Sequence, residues 1–353
     1  MWLQQICDIY DFIYDTISLG TSTVYAIYFK KTSTKIREIG IVIKELLELI
    51  YTHGERGTVV PLSRINDIKE EIQELAAGEF HTDWIKRIHE YLSDETDRFI
   101  PEDIGFVPKS VIIVVIRSPK VLWKLHLNGK PILCIVPPVY TKTADLNNRS
   151  FSYINDYLSP LGFSLVATGT LPAKMLAVHS GLGNYGRNNI CYNKDFGSYL
   201  QIRTFLSDLA SDEDSTWVPI SQMENCKDCH LCVEACPTKA IDINRILIDS
   251  DRCITYHNEI PEVFPEWITK DMHNCVVGCI ACQDCCPVNH HNKSNAETVV
   301  EFTESETKQL LETKDNENYE ELLSIKIMES GLYPEYTKGS RILTRNLNAL
   351  LKN

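Results

Sequence analysis

Residues 41–51 read IVIKELLELIY, which sets Ile43, Leu46, Leu47 and Ile50 on one helical face before His53-Gly54 supplies a stop. A second stretch of the same period carries Ile65, Ile68, Ile72 and Leu75 and ends at Gly78. The period then changes. Ser110 to Ile116 is an apolar, β-branched run closed by Ser118-Pro119, the pattern of a buried strand. Val121, Trp123, Leu125 and Leu127 recur at every second position, Asn128-Gly129 makes a hairpin turn, and Ile132 to Val136 returns. Residues 151–161 are helical in pattern and lead through Gly162 into a short strand, Phe163 to Ala167. Helices mixed with strands predict an α/β domain over 41–206, preceded by an N-terminal extension over 1–40.

Beyond residue 206 the composition shifts. An acidic, polar stretch, SDLASDEDST (207–216), marks a boundary, and a cysteine-rich segment occupies 220–292. The remainder, 293–353, reads as a helical tail. Its residues 297–321 hold nine acids against two lysines, the composition of a solvated helical surface, and Ile342 to Leu351 is apolar at helical spacing and should pack back on the body. The chain's 353 residues, 44% of them hydrophobic, suffice for one sizeable core and a smaller domain. A net charge of −13, from 48 acidic and 35 basic residues, offers no general attraction to a phosphate backbone, so a nucleic-acid partner is not expected. Residues 1–30 lack a basic leading segment and carry Asp8, Asp11 and Asp15, and the apolar run Val24 to Phe29 is too short to span a bilayer. These features predict a cytoplasmic protein with no membrane partner.

The thirteen cysteines change the picture most, because ten of them fall between Cys226 and Cys286. In a chain of this size such crowding reads as metal ligation in a reducing compartment. The first motif is Cys226-x2-Cys229-x2-Cys232-x3-Cys236-Pro237. Three cysteines at this spacing can hold three irons of one 4Fe-4S cubane, while the fourth faces away and serves a second cluster. The complementary half is Cys279-x2-Cys282-x3-Cys286-Pro287. Two four-cysteine zinc sites are the competing reading, but zinc sites rarely repeat an x3-Cys-Pro ending. Two 4Fe-4S clusters are therefore expected, and with them one-electron chemistry. Spacing leaves the second half open among Cys253, Cys275, Cys279, Cys282, Cys285 and Cys286, and would permit Cys279, Cys282 and Cys285 as one triplet. Cys7, Cys134 and Cys191 lie far from the array and read as buried structural thiols.

Upstream, Gly181-x-Gly183-x-x-Gly186 matches a dinucleotide fingerprint. That fingerprint needs a strand before it and a helix after it. Here LPAKMLAVHS (171–180) looks helical and RNNICYN (187–193) shows no helical period, so dinucleotide binding is disfavoured and a tight turn is the plain alternative. His179 reads as a helix-surface residue rather than an axial metal ligand, and Tyr185 and Tyr192 as core or surface tyrosines.

The segments RCITYHNE (252–259) and GCIACQDCCPVN (278–289), with the first cysteine motif, resemble epoxyqueuosine reductase and, more distantly, the corrinoid reductive dehalogenases. So do LAVHSGLGNYGRNN (176–189), Phe196-Gly197-Ser198 and the closing RNLNALLKN (345–353); the resemblance covers about residues 105–353. It implies a corrinoid-binding α/β domain, a small ferredoxin-like two-cluster domain and a helical tail. It implies one cluster on Cys226, Cys229, Cys232 and Cys286, and another on Cys236, Cys253, Cys279 and Cys282, with Cys275 and Cys285 spare. It further implies a base-off cobalamin contacted by Gly181, Gly183, Gly186, Arg187, Asn188, Phe196 and Ser198, and an external one-electron donor such as a ferredoxin or flavodoxin.

Departures from the family matter as much. The reductase's proposed proton donor is an aspartate in a Val-Asp-Thr stretch, where this chain has Val166-Ala167-Thr168. Its Tyr-Ala-Arg-Gly substrate-side motif is missing from 140–152. The expectation is an iron–sulfur oxidoreductase, a cobalamin-dependent reductase, acting on a small-molecule or corrinoid substrate other than epoxyqueuosine-tRNA. The alternative is an electron-transfer protein or an activator of a separate corrinoid protein.

Overall fold

The computed structural model describes residues 38–77, 99–141, 143–212, 215–244, 247–290, 298–313, 319–332 and 341–351. Most of the N-terminal extension, Cys7 within it, and the stop at Gly78 lie outside the described residues. The chain divides into two compact units, Met1–Leu46 and Leu47–Asn353. Of the first, residues 38–46 are described and are helical.

In the second unit nine strands are described: β1 (Arg56–Pro61), β2 (Ser110–Arg117), β3 (Val121–Leu127), β4 (Lys130–Val136), β5 (Leu165–Thr168), β6 (Asn184–Tyr185), β7 (Cys191–Tyr192), β8 (Leu200–Ser207) and β9 (Thr298–Phe302). They make a four-stranded sheet in the order β1-β2-β8-β5, a three-stranded sheet β4-β3-β9 and the hairpin β6-β7. Every pairing in the larger sheet is antiparallel. Helix and strand do alternate along the sequence as expected, but alternation does not reveal strand direction, and the sheet lacks the parallel order typical of α/β domains.

β2 lies between β1 and β8, and all its residues but Arg117 are buried. Its residues Val111, Ile113 and Val115 share a core with Ile65, Ile68 and Ile72 of the helix Arg64–Ala77 and Leu176 of the helix Ala173–His179. The β3–β4 hairpin turns on Asn128 (φ 52°) and Gly129 (φ 72°), both left-handed, as an Asn-Gly type I′ turn requires.

The acidic tail departs from expectation. It opens with β9, which pairs parallel with β3 from Val121↔Thr298 to Leu125↔Phe302. Phe302 is fully buried and its ring lies 4.7 Å from that of Trp123. Leu310, Leu323, Ile327, Leu343 and Leu347 from the tail helices join this second core. The body, cysteine segment and tail lie within one compact unit, because a strand after the cysteines returns to the sheet before them. The C-terminal helix, Arg341–Leu351, packs back as expected: the amide of buried Asn346 donates to the carbonyls of Asn258 (2.9 Å) and Val276 (3.3 Å).

Candidate iron–sulfur centres

The two cysteine motifs fold alike. The helix Leu231–Ala235 starts after His230 (φ −121°, ψ 9°), carries Cys232 as its second residue and ends at Cys236 (φ −64°, ψ 114°) before Pro237. The helix Ala281–Asp284 starts after Ile280 (φ −125°, ψ −2°), carries Cys282 second and is followed by Cys286 (φ −70°, ψ 125°) before Pro287. Each x3-Cys-Pro ending therefore places one thiol on the helix and another just beyond it. The proline stops the turn because it cannot continue the helix. Cys253 stands at the N-terminus of a third short helix, Ile254–Glu259.

These elements gather the thiols into two neighbourhoods. Burial pushes Cys232 up to about 11, and charges on Cys285, Cys226, Cys229 and Cys286 add to that shift. Burial also raises Cys226, with Cys286 and Cys229 among its neighbours, against the opposing effect of Arg187. In the other neighbourhood burial raises Cys279, and Cys253 and Cys236 act in the same direction. Cys282 is held well above the ordinary thiol range by burial, then by Cys279, Cys253 and Cys236. Each group thus mixes thiols from both halves of the segment: Cys286 stands with the first triplet and Cys236 with the downstream cysteines. Buried thiols that disfavour one another's ionisation suit a positively charged centre, which binds them as thiolates. The donor set fits two cubanes. Among the described residues no group of three or more His, Cys, Asp or Glu is drawn close enough to hold a single ion, so these are neighbourhoods and not formed coordination spheres.

Several donors already point at sulfur. Asn274 Nδ2 donates to Cys279 Sγ at 3.1 Å, the Ala240 N–H to Cys236 Sγ at 3.3 Å and the Arg187 N–H to Cys226 Sγ at 3.4 Å. Asn274 also accepts the Ile280 N–H at 3.0 Å, which fixes the turn before Cys279–Cys282. No spacing rule points to Asn274, whose role appears only in three dimensions. Of the two cysteines read as spare, Cys275 is fully buried with Tyr199 and Ile280 and donates to Asn274 Oδ1 (3.2 Å), whereas Cys285 lies beside Cys232. Cys134 and Cys191 are buried, as expected.

The residues read as cobalamin contacts are engaged within the protein itself. A Cβ on Gly183 would lie 2.4 Å from Cys191 Sγ, and one on Gly186 would lie 2.6 Å from a Tyr192 ring carbon. The space left by both glycines is thus filled by the protein itself. The Arg187 guanidinium donates to carbonyls of the cysteine segment, and Asn188 Nδ2 to Tyr192 Oη (2.9 Å) and the Cys282 carbonyl (3.1 Å). Phe196 belongs to the sheet's core, while Ser198 Oγ donates to Gln283 (2.9 Å) and accepts from Asn289 (2.8 Å). These side chains fasten the loop to the cysteine segment. Gly181 (φ 76°) is needed for its backbone conformation.

His179 is not on the surface: it is buried, with its ring nitrogens 2.7 Å from the Val218 carbonyl and 2.7 Å from Glu71, and it stacks on Trp217. Tyr185 and Tyr192 are buried, and burial is the main cause pushing both phenols up. Sequence reasoning also missed the buried carboxylate of Glu55, which accepts from Arg149 (2.6 Å), Ser150 (2.9 Å) and Tyr153 (2.7 Å) and pins the helix Thr143–Leu158.

Paired short helices ending in Cys-Pro, with thiols exchanged between two groups, define a double-cluster iron–sulfur module. Residues 225–289 match the family model described as a 4Fe-4S double cluster binding domain. Over and beyond that module the chain is similar to epoxyqueuosine reductases. It is 36% identical to that of Synechocystis sp. over 126 residues (35% of this chain, 42% of the relative) and 36% identical to that of Cyclobacterium marinum over 137 residues (38% and 43%). The match thus spans less than half the length of either relative. Among solved structures, epoxyqueuosine reductase from Bacillus subtilis shares the fold at a TM-score of 0.61 and 18% identity, covering 89% of this chain and 82% of that one. An epoxyqueuosine reductase solved with an epoxyqueuosine-modified tRNA stem loop aligns at 0.51 and 18%, covering 81% of each. No helix among the described residues is long and apolar enough to cross a membrane.

Proposed function

We propose that this chain is an iron–sulfur oxidoreductase that takes single electrons from an external ferredoxin- or flavodoxin-like donor, passes them through two 4Fe-4S clusters and delivers them to an acceptor on the sheet domain. The ligands are Cys226, Cys229, Cys232 and Cys286 for one cluster and Cys236, Cys253, Cys279 and Cys282 for the other. The observation that carries the reading is the pair of short helices, Leu231–Ala235 and Ala281–Asp284, each closing on Cys-Pro within the segment that matches the double-cluster model. Cys232 and Cys236 are one helical turn apart yet serve different clusters, so the clusters are held close enough for an electron to pass. Anaerobically prepared protein should contain about eight irons and eight acid-labile sulfides per chain; half that iron with stoichiometric zinc would refute the assignment.

Cobalamin is the acceptor that the resemblance implies. The loop residues assigned to it do not fit that role through their side chains, so no step is routed through it. Retention of added cobalamin on gel filtration, with the EPR signal of base-off Co(II), would establish an acceptor held elsewhere on the chain. Loss of the corrinoid would favour an electron carrier or an activator of a separate corrinoid protein.

The substrate proposed is not epoxyqueuosine-tRNA. Ala167, exposed on β5, stands where the resemblance places a proton-donating carboxylate. A positioned acid contributes typically ~10²–10⁴-fold to such a step. Tyr185 and Tyr192 of the glycine loop are buried with raised pKa values and are poor replacements. Anaerobic turnover of epoxyqueuosine-containing tRNA at a rate comparable to an authentic epoxyqueuosine reductase, with added cobalamin and a chemical reductant, would overturn this.

A further inference from the structure

Arg187 is 6% exposed, and its guanidinium carries a positive charge in that buried position. Among the described residues no carboxylate pairs with it. Its contacts are carbonyls instead: Nη2 donates to Cys226 (2.5 Å) and Lys227 (3.3 Å), Nε to Cys229 (3.2 Å) and Nη1 to Ile243 (2.6 Å). Its own N–H points at Cys226 Sγ. Two of the four carbonyls belong to cysteines of the first neighbourhood. A buried cation held only by neutral carbonyls is costly unless a negative centre lies nearby. Four thiolates around a cubane form such a centre, and the Arg187 backbone N–H lies 3.4 Å from Cys226 Sγ. The next residue, Asn188, reaches the other neighbourhood through the Cys282 carbonyl but brings no charge. One loop therefore touches both clusters unequally.

We infer that Arg187 is a positioning residue that sets the reduction potential of the cluster on Cys226, Cys229, Cys232 and Cys286, holding it above the value that cluster would have without a buried cation. The inference rests on the two-cluster reading above. Reduction adds one electron, and so one negative charge, to the cubane, with no bond made or broken. A fixed positive charge and an N–H donor on a ligand sulfur both stabilise the reduced state.

The test is an anaerobic redox titration of the full-length, iron-loaded protein with dithionite, followed by EPR. Arg187→Gln should lower one of the two midpoints by at least a tenfold change in the reduction equilibrium, ~59 mV for one electron. The other midpoint should stay within about threefold by the same conversion. Arg187→Lys, which keeps the charge but not the planar fork, should shift the first midpoint less than Gln does. Full iron content in Arg187→Gln with both midpoints unmoved would overturn the inference, as would an equal fall in both or an equal fall in Lys and Gln. A residue that merely latches the loop would change stability without moving one potential selectively. If Arg187→Gln fails to hold iron, Arg187→Lys decides alone: a midpoint within about threefold of wild type supports the charge, and a fall of tenfold or more refutes it. Wild-type protein that holds no iron would instead defeat the two-cluster reading, so the iron count separates the two failures.

Discussion

Gly278, immediately before Cys279, is the position where one methyl group should do most harm. Its φ is +61°, a region that costs a residue with a Cβ about 1–2 kcal/mol. A Cβ built there would lie 2.4–2.7 Å from three atoms of the Tyr140 ring and hydroxyl. That ring cannot easily retreat, because Tyr140 is 6% exposed, packs in the second core and bonds through its hydroxyl to Glu259. The Gly278 carbonyl is also fixed, accepting from Asn258 Nδ2 at 2.7 Å. Overpacking of this kind costs about 1–3 kcal/mol, so Gly278→Ala should destabilise by about 2–5 kcal/mol in total. Gly54→Ala is the matched control, with φ +76° and nothing within 4 Å of the added carbon, and should carry the backbone cost alone. Apparent unfolding midpoints by circular dichroism, at one scan rate and one iron content, compare the two. The steric part should fall sharply when Tyr140→Leu is combined with Gly278→Ala, which a double-mutant cycle measures. Equal midpoints for the two glycine variants would refute the reasoning.

Other outcomes follow from single sites. Cys286→Ala should lose about half the iron while Cys285→Ala keeps it, by elemental analysis; the reverse would make Cys285 the ligand despite the proline after Cys286. Thr303 and Glu306 form a reciprocal cap on the helix Glu304–Glu312, so Thr303→Ala should cost about 1 kcal/mol and speed amide exchange in that helix. His273 is buried against Phe264, and burial followed by the charge of Arg345 lowers its pKa to about 4 from the ordinary 6.5. The unfolded chain therefore binds this proton more readily. The contribution to stability is full above pH 6.5, is lost as pH falls through 4, and is at most about 3 kcal/mol. His273→Gln should flatten that part of the urea-midpoint profile between pH 7 and 4.5; an unchanged slope would show that His273 is not its source.

What was legible in the sequence is what local rules encode. The β3–β4 hairpin follows from alternation and Asn-Gly, and the helix Arg64–Ala77 from its period. β1 and β8 were missed, although β8 lies between β2 and β5 in the main sheet. Its residues Leu200 to Ser207 interleave Gln201, Arg203 and Thr204 with apolar neighbours, and Gln201 is buried only because Pro138 and Thr141 supply acceptors from a distant turn. β9 was hidden for a different reason. Five residues in an acidic run become a strand only because β3 offers an open edge and Trp123 a partner for Phe302.

The glycine loop shows where a motif and its geometry part. G-x-G-x-x-G states that side chains are excluded at three positions, but not by what. Here Cys191 and Tyr192 exclude them at Gly183 and Gly186, and Gly181 needs its left-handed backbone. The tight packing brings the next two residues, Arg187 and Asn188, out of the sheet domain and onto the carbonyls of Cys226, Cys229 and Cys282. Replacing either glycine should therefore disturb the cysteine segment through Arg187 and Asn188 before it disturbs any ligand of the sheet domain. In the proposed electron-transfer role the loop acts through what it fastens: its side chains tie the sheet domain to both thiol neighbourhoods.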